Sequence, residues 1–171
     1  MRIRSDSFKH GGTLPDAFAM GTPDGFGANR NPHLAWDEAP EGTRSFVLMC
    51  VDLDVPTVAG MVGKEGVEIP VHQPRTEFIH WVMVDIPAHV REIAEGAASD
   101  GISKGGKRDP AGPAGARQGL NDYTGWFQGD PEMGGDWLGY DGPYPPGNDL
   151  RMHRYFFRVF ALDVERLDLP E

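Results

Sequence analysis

Apolar residues are concentrated in three segments of the chain, and their patterns predict β-strands. Residues 45–53 (SFVLMCVDL) form a nearly continuous apolar run, which is typical of a strand covered on both faces. Residues 78–86 (FIHWVMVDI) are rich in β-branched and aromatic side chains and stop at a proline. Residues 153–163 (HRYFFRVFALD) alternate between apolar and basic positions with the period of two of a strand.

The segments between these strands predict long loops and few helices. The 171 residues include 23 glycines and 15 prolines, which favour turns. A helix of about two turns is expected at 88–95, ended by Gly96. Long connections are expected at 14–32, 57–75, 96–119 and 122–149. We therefore predict a mainly β protein, an antiparallel β-sandwich or barrel with few short helices and long loops, in a single domain over residues 1–171.

Charge and composition exclude several classes of partner. The formal net charge of −10 argues against binding to nucleic acid or to anionic membranes, because both would repel the domain. Cys50 is the one cysteine, so no intrachain disulfide can form and a reducing compartment is the default. Residues 1–10 lack the apolar core of a signal peptide, and no apolar run approaches the about 20 residues of a spanning helix. These features predict a cytoplasmic location without stable membrane insertion.

Two strand positions carry candidate chemistry. Asp52 and Asp54 follow an apolar run and precede Pro56, which cannot continue a central strand. They form either a solvated turn or a buried site in which Asp52 needs a partner. His80 lies within an otherwise apolar strand, where it is either a hydrogen-bonded core residue or a ligand-binding group.

A third candidate is the Pro- and Gly-rich segment 142–147 (GPYPPG), which is followed by the third strand. Such a segment has few conformations, so it either shapes a pocket wall or forms an ordinary turn. His153 and Tyr155 project from one face of the following strand, because alternate residues share a face. Each of the three signals is weak when taken alone.

Together, the order of the motifs resembles the phosphatidylethanolamine-binding protein family, and in particular its bacterial branch, the Raf-kinase-inhibitor-like proteins. The matching blocks are NPHLAW (31–36), APEGT (39–43), DLDVP (52–56), HWVMVDIP (80–87), GLNDY (119–123), GYDGPYPP (139–146) and HRY (153–155). The resemblance extends over residues 31–163, and the order of all the blocks makes it specific.

The resemblance implies an antiparallel β-sandwich with a small pocket at one end for phosphate-like or carboxylate groups, including phospholipid head groups. The ligand-binding residues that it implies are Asp52, Pro56, His80, Gly142, Tyr144, Pro145, His153 and Tyr155. We expect no cofactor, no metal and no catalytic residue. It also implies cis peptide bonds at Val55–Pro56 and Thr76–Glu77.

The chain departs from the family pattern at the rim of this pocket. Tyr144 replaces a cysteine of the bacterial motif, and the loops 57–75 and 124–138 are longer than the bacterial norm. The sequence ends at Glu171, where relatives usually continue into a C-terminal helix. We therefore expect a domain without that helix.

Other functions compete with anion binding. The two histidines with Asp52 and Tyr155 are compatible with a hydrolase of phosphoesters or esters, but no G-x-S-x-G motif or P-loop is present. A metal site is disfavoured, since the histidines lack a local ligand spacing such as H-E-x-x-H. Binding is thus favoured over catalysis.

An interaction module is the third possibility. Trp126, Phe127 and Trp137 form either a contact surface or, as we favour, a lid over their own domain. Nothing in the sequence identifies a protein partner, and a homodimer is an open alternative.

Overall fold

The computed structural model of the chain describes residues 1–169 and consists mainly of antiparallel strands. The expectation about the chain's end at Glu171 lies outside the described residues. The strands are β1 (Arg2–Arg4), β2 (Gly21–Thr22), β3 (Gly25–Phe26), β4 (Leu34–Asp37), β5 (Ser45–Pro56), β6 (Arg75–Pro87), β7 (Glu92–Ile93), β8 (Arg117–Gln118) and β9 (Tyr155–Leu162). The helices in this range are α1 (Tyr123–Trp126) and two 3₁₀ turns at Asp16–Phe18 and Ala59–Met61.

The strands form two larger sheets with the core between them. One sheet has the antiparallel order β8-β6-β5-β9, the other has the order β1-β4-β7, and β2 and β3 pair separately. The core combines Phe46, Leu48 and Trp81 from the first sheet with Leu34 and Trp36 from the second. The fold is therefore a mainly β antiparallel sandwich, as the sequence predicted.

The three predicted strands are confirmed, with altered ends. The first continues past its predicted end to Pro56 and the second begins earlier, at Arg75. The third begins at Tyr155, so His153 lies just before it. Pairing of β5 with both β6 and β9 explains its apolar run, since β5 is an interior strand of its sheet.

The predicted helix at 88–95 is wrong. The Val90 N–H donates to the Pro87 carbonyl oxygen at 2.9 Å and closes a turn. Glu92 and Ile93 then form β7, which pairs with β4. Because this pairing buries Ile93 in the core, tertiary structure prevails over local helix propensity.

The expected cis peptide bonds before Pro56 and Glu77 are also wrong, since the described part of the chain contains no cis peptide bond. Val55 pairs with Thr76, and Pro56 pairs with Arg75. The two strands thus stay paired at Val55 and Pro56, beyond an irregularity in the register between Asp52 and Val55.

The loop 124–138 folds over its own domain, as expected for a lid. Trp137 is fully buried and packs with Tyr123 in a second apolar cluster. The ring centroid of Phe127 lies 5.1 Å from that of Trp137, whereas Trp126 is largely exposed. This cluster covers the part of β6 that carries His80, whose ring lies 5.5 Å from that of Tyr123.

Candidate functional site

Pairing of β5 with β9 brings three of the predicted site residues together. Asp52 lies directly opposite Tyr155 in the strand register. The Oδ2 atom of Asp52 accepts a hydrogen bond from His153 Nδ1 at 2.6 Å, and its Oδ1 atom accepts one from the Asp54 N–H at 2.8 Å. Asp52 is therefore a buried carboxylate with a partner for each oxygen, and the solvated-turn interpretation does not apply.

His153 lies between two carboxylates and is held as an imidazolium. Its Nδ1 faces Asp52, and its Nε2 lies 3.0 Å from Asp149 Oδ2. Because both neighbours accept, both ring nitrogens carry hydrogen. Burial alone would lower the pKa of His153, but the hydrogen bonds to Asp52 and Asp149 outweigh it and raise the pKa. Both N–H groups are thus engaged within the chain.

Asp149 connects this group to Arg75. Its two oxygens accept from Arg75 Nη1 at 2.5 Å and Nη2 at 3.1 Å. Burial alone would raise the pKa of Asp149, but the hydrogen bonds from Arg75 and His153 outweigh it and lower the pKa to about 2. Sequence reasoning missed both residues, because their contact joins the first residue of β6 to a distant loop and no local pattern indicates it.

Asp54, two residues after Asp52 on β5, forms a second ionic group. Arg154 donates to both of its oxygens, at 2.8 and 3.0 Å, and Arg151 lies 2.7 Å from Oδ1. The hydrogen bond from Arg154 lowers the pKa of Asp54. Arg154 remains largely exposed, so it forms a basic rim beside the buried carboxylates.

His80 is buried on β6 among aromatic rings. Its Nδ1 lies 2.8 Å from the carbonyl oxygen of Asp141, which can only accept, so Nδ1 carries the hydrogen. Burial lowers the pKa of His80 and favours the neutral ring. Its Nε2 atom has no hydrogen-bond partner among residues 1–169 and is left as an acceptor. The ring centroid of Tyr155 lies 5.4 Å away.

The hydroxyl of Tyr155 is buried and makes no hydrogen bond of good geometry with the described residues; the Asp52 carboxylate beside it interacts with it only weakly. Burial and the nearby Asp52 carboxylate raise its pKa, so the hydroxyl keeps its proton and remains a donor. A buried donor without an acceptor costs about 1–3 kcal/mol. The Tyr155 hydroxyl and His80 Nε2 are therefore the donor and the acceptor that the described part of the chain leaves without partners at this site.

Asp141 holds His80 in place through its backbone and is itself held by its side-chain partners. Its carboxylate is fully buried and accepts from Lys107 at 2.6 Å, Asn29 at 2.7 Å and Asn121 at 2.9 Å. Its backbone oxygen is the one that holds His80. Sequence reasoning quoted Asp141 within a motif but assigned it no role.

Of the remaining predicted residues, Pro56 and Gly142 are buried and Tyr144 and Pro145 are exposed. The Gly142 N–H donates to the Asn29 side chain at 2.7 Å, so it is not free for a ligand. The ring of Tyr144 covers Gly21, where a Cβ atom would lie 1.9 Å from it. Pro56 ends β5 beside Arg75.

The two site histidines are expected to make the free energy of unfolding depend on pH in opposite directions. The pKa of His153 is raised, so its contribution is present below about pH 6.5 and is lost as the pH rises through the folded-state pKa. The pKa of His80 is lowered, so its contribution is present above about pH 6.5 and is lost as the pH falls through the folded-state pKa. In a plot of the free energy of unfolding against pH, these two contributions give an alkaline limb and an acid limb. Each limb has a slope of at most about 1.4 kcal/mol per pH unit.

Urea unfolding between about pH 5 and pH 9 measures these slopes. His153→Gln should flatten the alkaline limb, and His80→Gln should flatten the acid limb. The exposed His72 provides the control, since His72→Gln should alter neither limb. An alkaline limb that is unchanged in His153→Gln contradicts the assignment.

Other reactive groups have little support in this structure. Cys50 is buried on β5, and burial raises the pKa of its thiol, which disfavours the thiolate. Within residues 1–169 no group of three or more His, Cys, Asp or Glu residues is placed to hold a metal ion. The same range contains no helix that is long and apolar enough to cross a membrane.

Comparison with known proteins gives a family match over most of the chain. A family model described as phosphatidylethanolamine-binding protein matches residues 4–171. The UPF0098 protein YbhB of Escherichia coli (strain K12) is 33% identical over 171 residues, covering 100% of this chain and 84% of that protein. A UPF0098 protein of Aquifex aeolicus (strain VF5) is 35% identical over 172 residues, covering 99% of this chain and 72% of that protein.

A solved structure supports the same match. The crystal structure of E. coli YbcL, described as a new member of the mammalian PEBP family, is similar with a TM-score of 0.70 at 29% identity. The similarity covers 98% of this chain and 80% of that chain.

Proposed function

The chain belongs to the phosphatidylethanolamine-binding protein family, and from this premise we propose that it binds a small phosphate- or carboxylate-bearing ligand at Tyr155 and His80. The observation that carries the proposal is the Tyr155 hydroxyl, a buried donor that lacks an acceptor in the described part of the chain. A ligand oxygen beside this hydroxyl would offset the desolvation cost of about 1–3 kcal/mol. Asp52 and His153 position the site, since their polar atoms are already paired.

His80 decides which protonation state of the ligand fits. Its Nδ1–H is committed to Asp141, so Nε2 of the neutral ring can only accept. A phosphate monoester that carries one proton satisfies both neighbours, because its O–H donates to His80 while another oxygen accepts from Tyr155. A fully ionised ligand would instead bind with uptake of a proton by His80. In both cases affinity rises as the pH falls.

Cationic side chains lie beside the proposed site although the net charge of the chain is −10. Four cationic side chains face three carboxylates in the two ionic groups. The cations are Arg75, Arg151, His153 and Arg154, and the carboxylates are Asp52, Asp54 and Asp149. The partly exposed Arg151 and Arg154 can attract an anion from solution towards the buried site.

Tyr155→Phe tests the proposal, because it removes the hydroxyl and little else. Calorimetric titration with inorganic phosphate and with phosphoethanolamine is expected to show affinity weakened about tenfold or more. Urea unfolding without ligand is expected to show an equal or higher free energy of unfolding, because the unpaired donor is gone.

Tyr140→Phe is the matched control. Tyr140 is also buried, but its hydroxyl donates to the Phe18 carbonyl oxygen at 2.7 Å. This variant should lose about 1–3 kcal/mol of stability while its ligand affinity stays that of the wild type. Equal affinity of Tyr155→Phe and the wild type for both ligands contradicts the proposal.

We favour binding over the alternative of phosphoester or ester hydrolysis. Burial raises the pKa of both the Tyr155 hydroxyl and the Cys50 thiol, which disfavours their nucleophilic forms.

A reducing, cytoplasmic location fits the single buried cysteine and is part of the proposal.

A further inference from the structure

The carboxylate of Asp149 occupies a position built to receive an anion. It accepts from both Nη atoms of Arg75, from His153 Nε2 and from the Arg151 backbone N–H at 2.9 Å. The side chains of Asp149, His153 and Arg75 are 1%, 2% and 6% exposed. The site is therefore closed to solvent, and its negative charge comes from the chain itself.

Without that carboxylate, the same donors would form an anion cradle. A guanidinium presents two parallel N–H groups that match a carboxylate or a phosphate, and His153 adds a third donor. Asp52 would still balance the charge of His153, but the buried Arg75 guanidinium would be left without a counter-ion, which is strongly unfavourable. Some anion must therefore fill the position whenever Arg75 and His153 stay buried.

The segment that carries this carboxylate is fastened to the long loop before β6. The Asn148 side chain donates to the carbonyl oxygens of Met61 and Val67, both at 2.8 Å, and accepts from the Gly63 N–H at 3.0 Å. The buried Ile69 donates its N–H to the Asn148 carbonyl oxygen at 2.9 Å. The loop 57–75 and the segment that contains Asn148 thus hold the Asp149 carboxylate in place together. The length of the loop 57–75 allows it to reach Asn148.

We propose that Arg75 and His153 form an anion subsite that the chain fills with its own Asp149 carboxylate, and that a ligand phosphate or carboxylate enters it only by displacing Asp149. The inference rests on the proposed function, because it determines which anions reach the His153 side of that site. While Asp149 is in place, it repels a second negative charge from His153. The ligand is then confined to Tyr155 and His80, and Asp149 acts as a specificity-determining residue.

Asp149→Asn tests this inference, since it keeps the shape of the side chain and removes its charge. Titration with inorganic phosphate is expected to show binding about tenfold or more tighter than in the wild type. The imidazole ¹⁵N resonances of His153 should shift on phosphate addition in this variant and not in the wild type. In Asp149→Asn/Arg75→Gln the gain in affinity should be lost. Asp163→Asn, an equal change of charge at an exposed position, is the control and should leave affinity unchanged.

Asp149→Ser provides a second test that removes the carboxylate entirely. Phosphate or acetate should raise its midpoint of thermal unfolding saturably, because an added anion replaces the missing one. Wild-type phosphate affinity in Asp149→Asn overturns the inference. The inference is also overturned if neither phosphate nor acetate stabilises the Asp149→Ser protein. This holds whether or not that variant folds without an added anion.

The outcomes separate this inference from the proposed function. Weaker binding in Tyr155→Phe with no gain in Asp149→Asn leaves the proposed function standing and overturns the Asp149 subsite. Tighter binding in Asp149→Asn with unchanged affinity in Tyr155→Phe supports the subsite and overturns the proposed function.

Discussion

Asp141→Ala is expected to lower the free energy of unfolding by about 3–5 kcal/mol. The substitution leaves the ammonium group of Lys107, which is largely buried, without its counter-charge. It also removes one of the two acceptors of each of the Asn29 and Asn121 side-chain amides. Breaking a buried ion pair on one side is among the most destabilising single changes, since the remaining charge stays desolvated. Urea unfolding near neutral pH measures the loss.

Two further variants test the cause of this loss. Asp141→Asn/Lys107→Met removes both charges, so it should be less destabilised than Asp141→Ala although it carries two substitutions. Asp136→Ala changes an exposed aspartate and should stay within about 0.5 kcal/mol of the wild type. A loss of stability below about 1 kcal/mol in Asp141→Ala would contradict the importance of the contacts that this carboxylate makes with Lys107, Asn29 and Asn121.

Trp81→Ala is expected to cost about 3–5 kcal/mol, because it leaves a large cavity in the core. Trp81 is fully buried on β6, with its ring centroid 5.3 Å from that of Tyr140. Its Nε1–H donates to the Gln118 side chain at 2.9 Å, so β8 also loses a tie to β6. In calorimetry this loss corresponds to a fall of roughly 6–20 °C in the midpoint of thermal unfolding.

Trp126→Ala is the matched control for this prediction. Trp126 is 47% exposed on the loop 124–138, so its truncation should change stability by no more than about 0.5 kcal/mol. Similar losses in Trp81→Ala and Trp126→Ala would contradict the division of this region into a buried core and an exposed loop surface.

The strands and part of the site were predictable because strand periodicity is local. Alternate residues of a strand share a face, so the sequence predicted that His153 and Tyr155 lie on one side, although β9 begins only at Tyr155. Once the strands pair, Asp52 lies opposite Tyr155 and within reach of His153. The family resemblance added the order of the motifs, which local chemistry alone did not supply.

The ionic contacts were not predictable for the opposite reason. Arg75 and Asp149 are 74 positions apart, and Asn29 and Asp141 are 112 positions apart. Both pairs lie at strand ends or in loops, where periodicity carries no information about direction. The wrong helix near Ile93 has the same origin, because only the distant partner strand β4 explains its extended conformation.

The unpaired hydroxyl of Tyr155 has a consequence for protein engineering. Phenylalanine at this position removes a buried polar group that the described chain leaves unsatisfied, so a screen for thermal tolerance would enrich it. Each such variant would gain robustness by giving up the atom that we assign to ligand recognition. Stabilised versions of this protein should therefore be selected in the presence of phosphate, where the tyrosine and its ligand are favoured together.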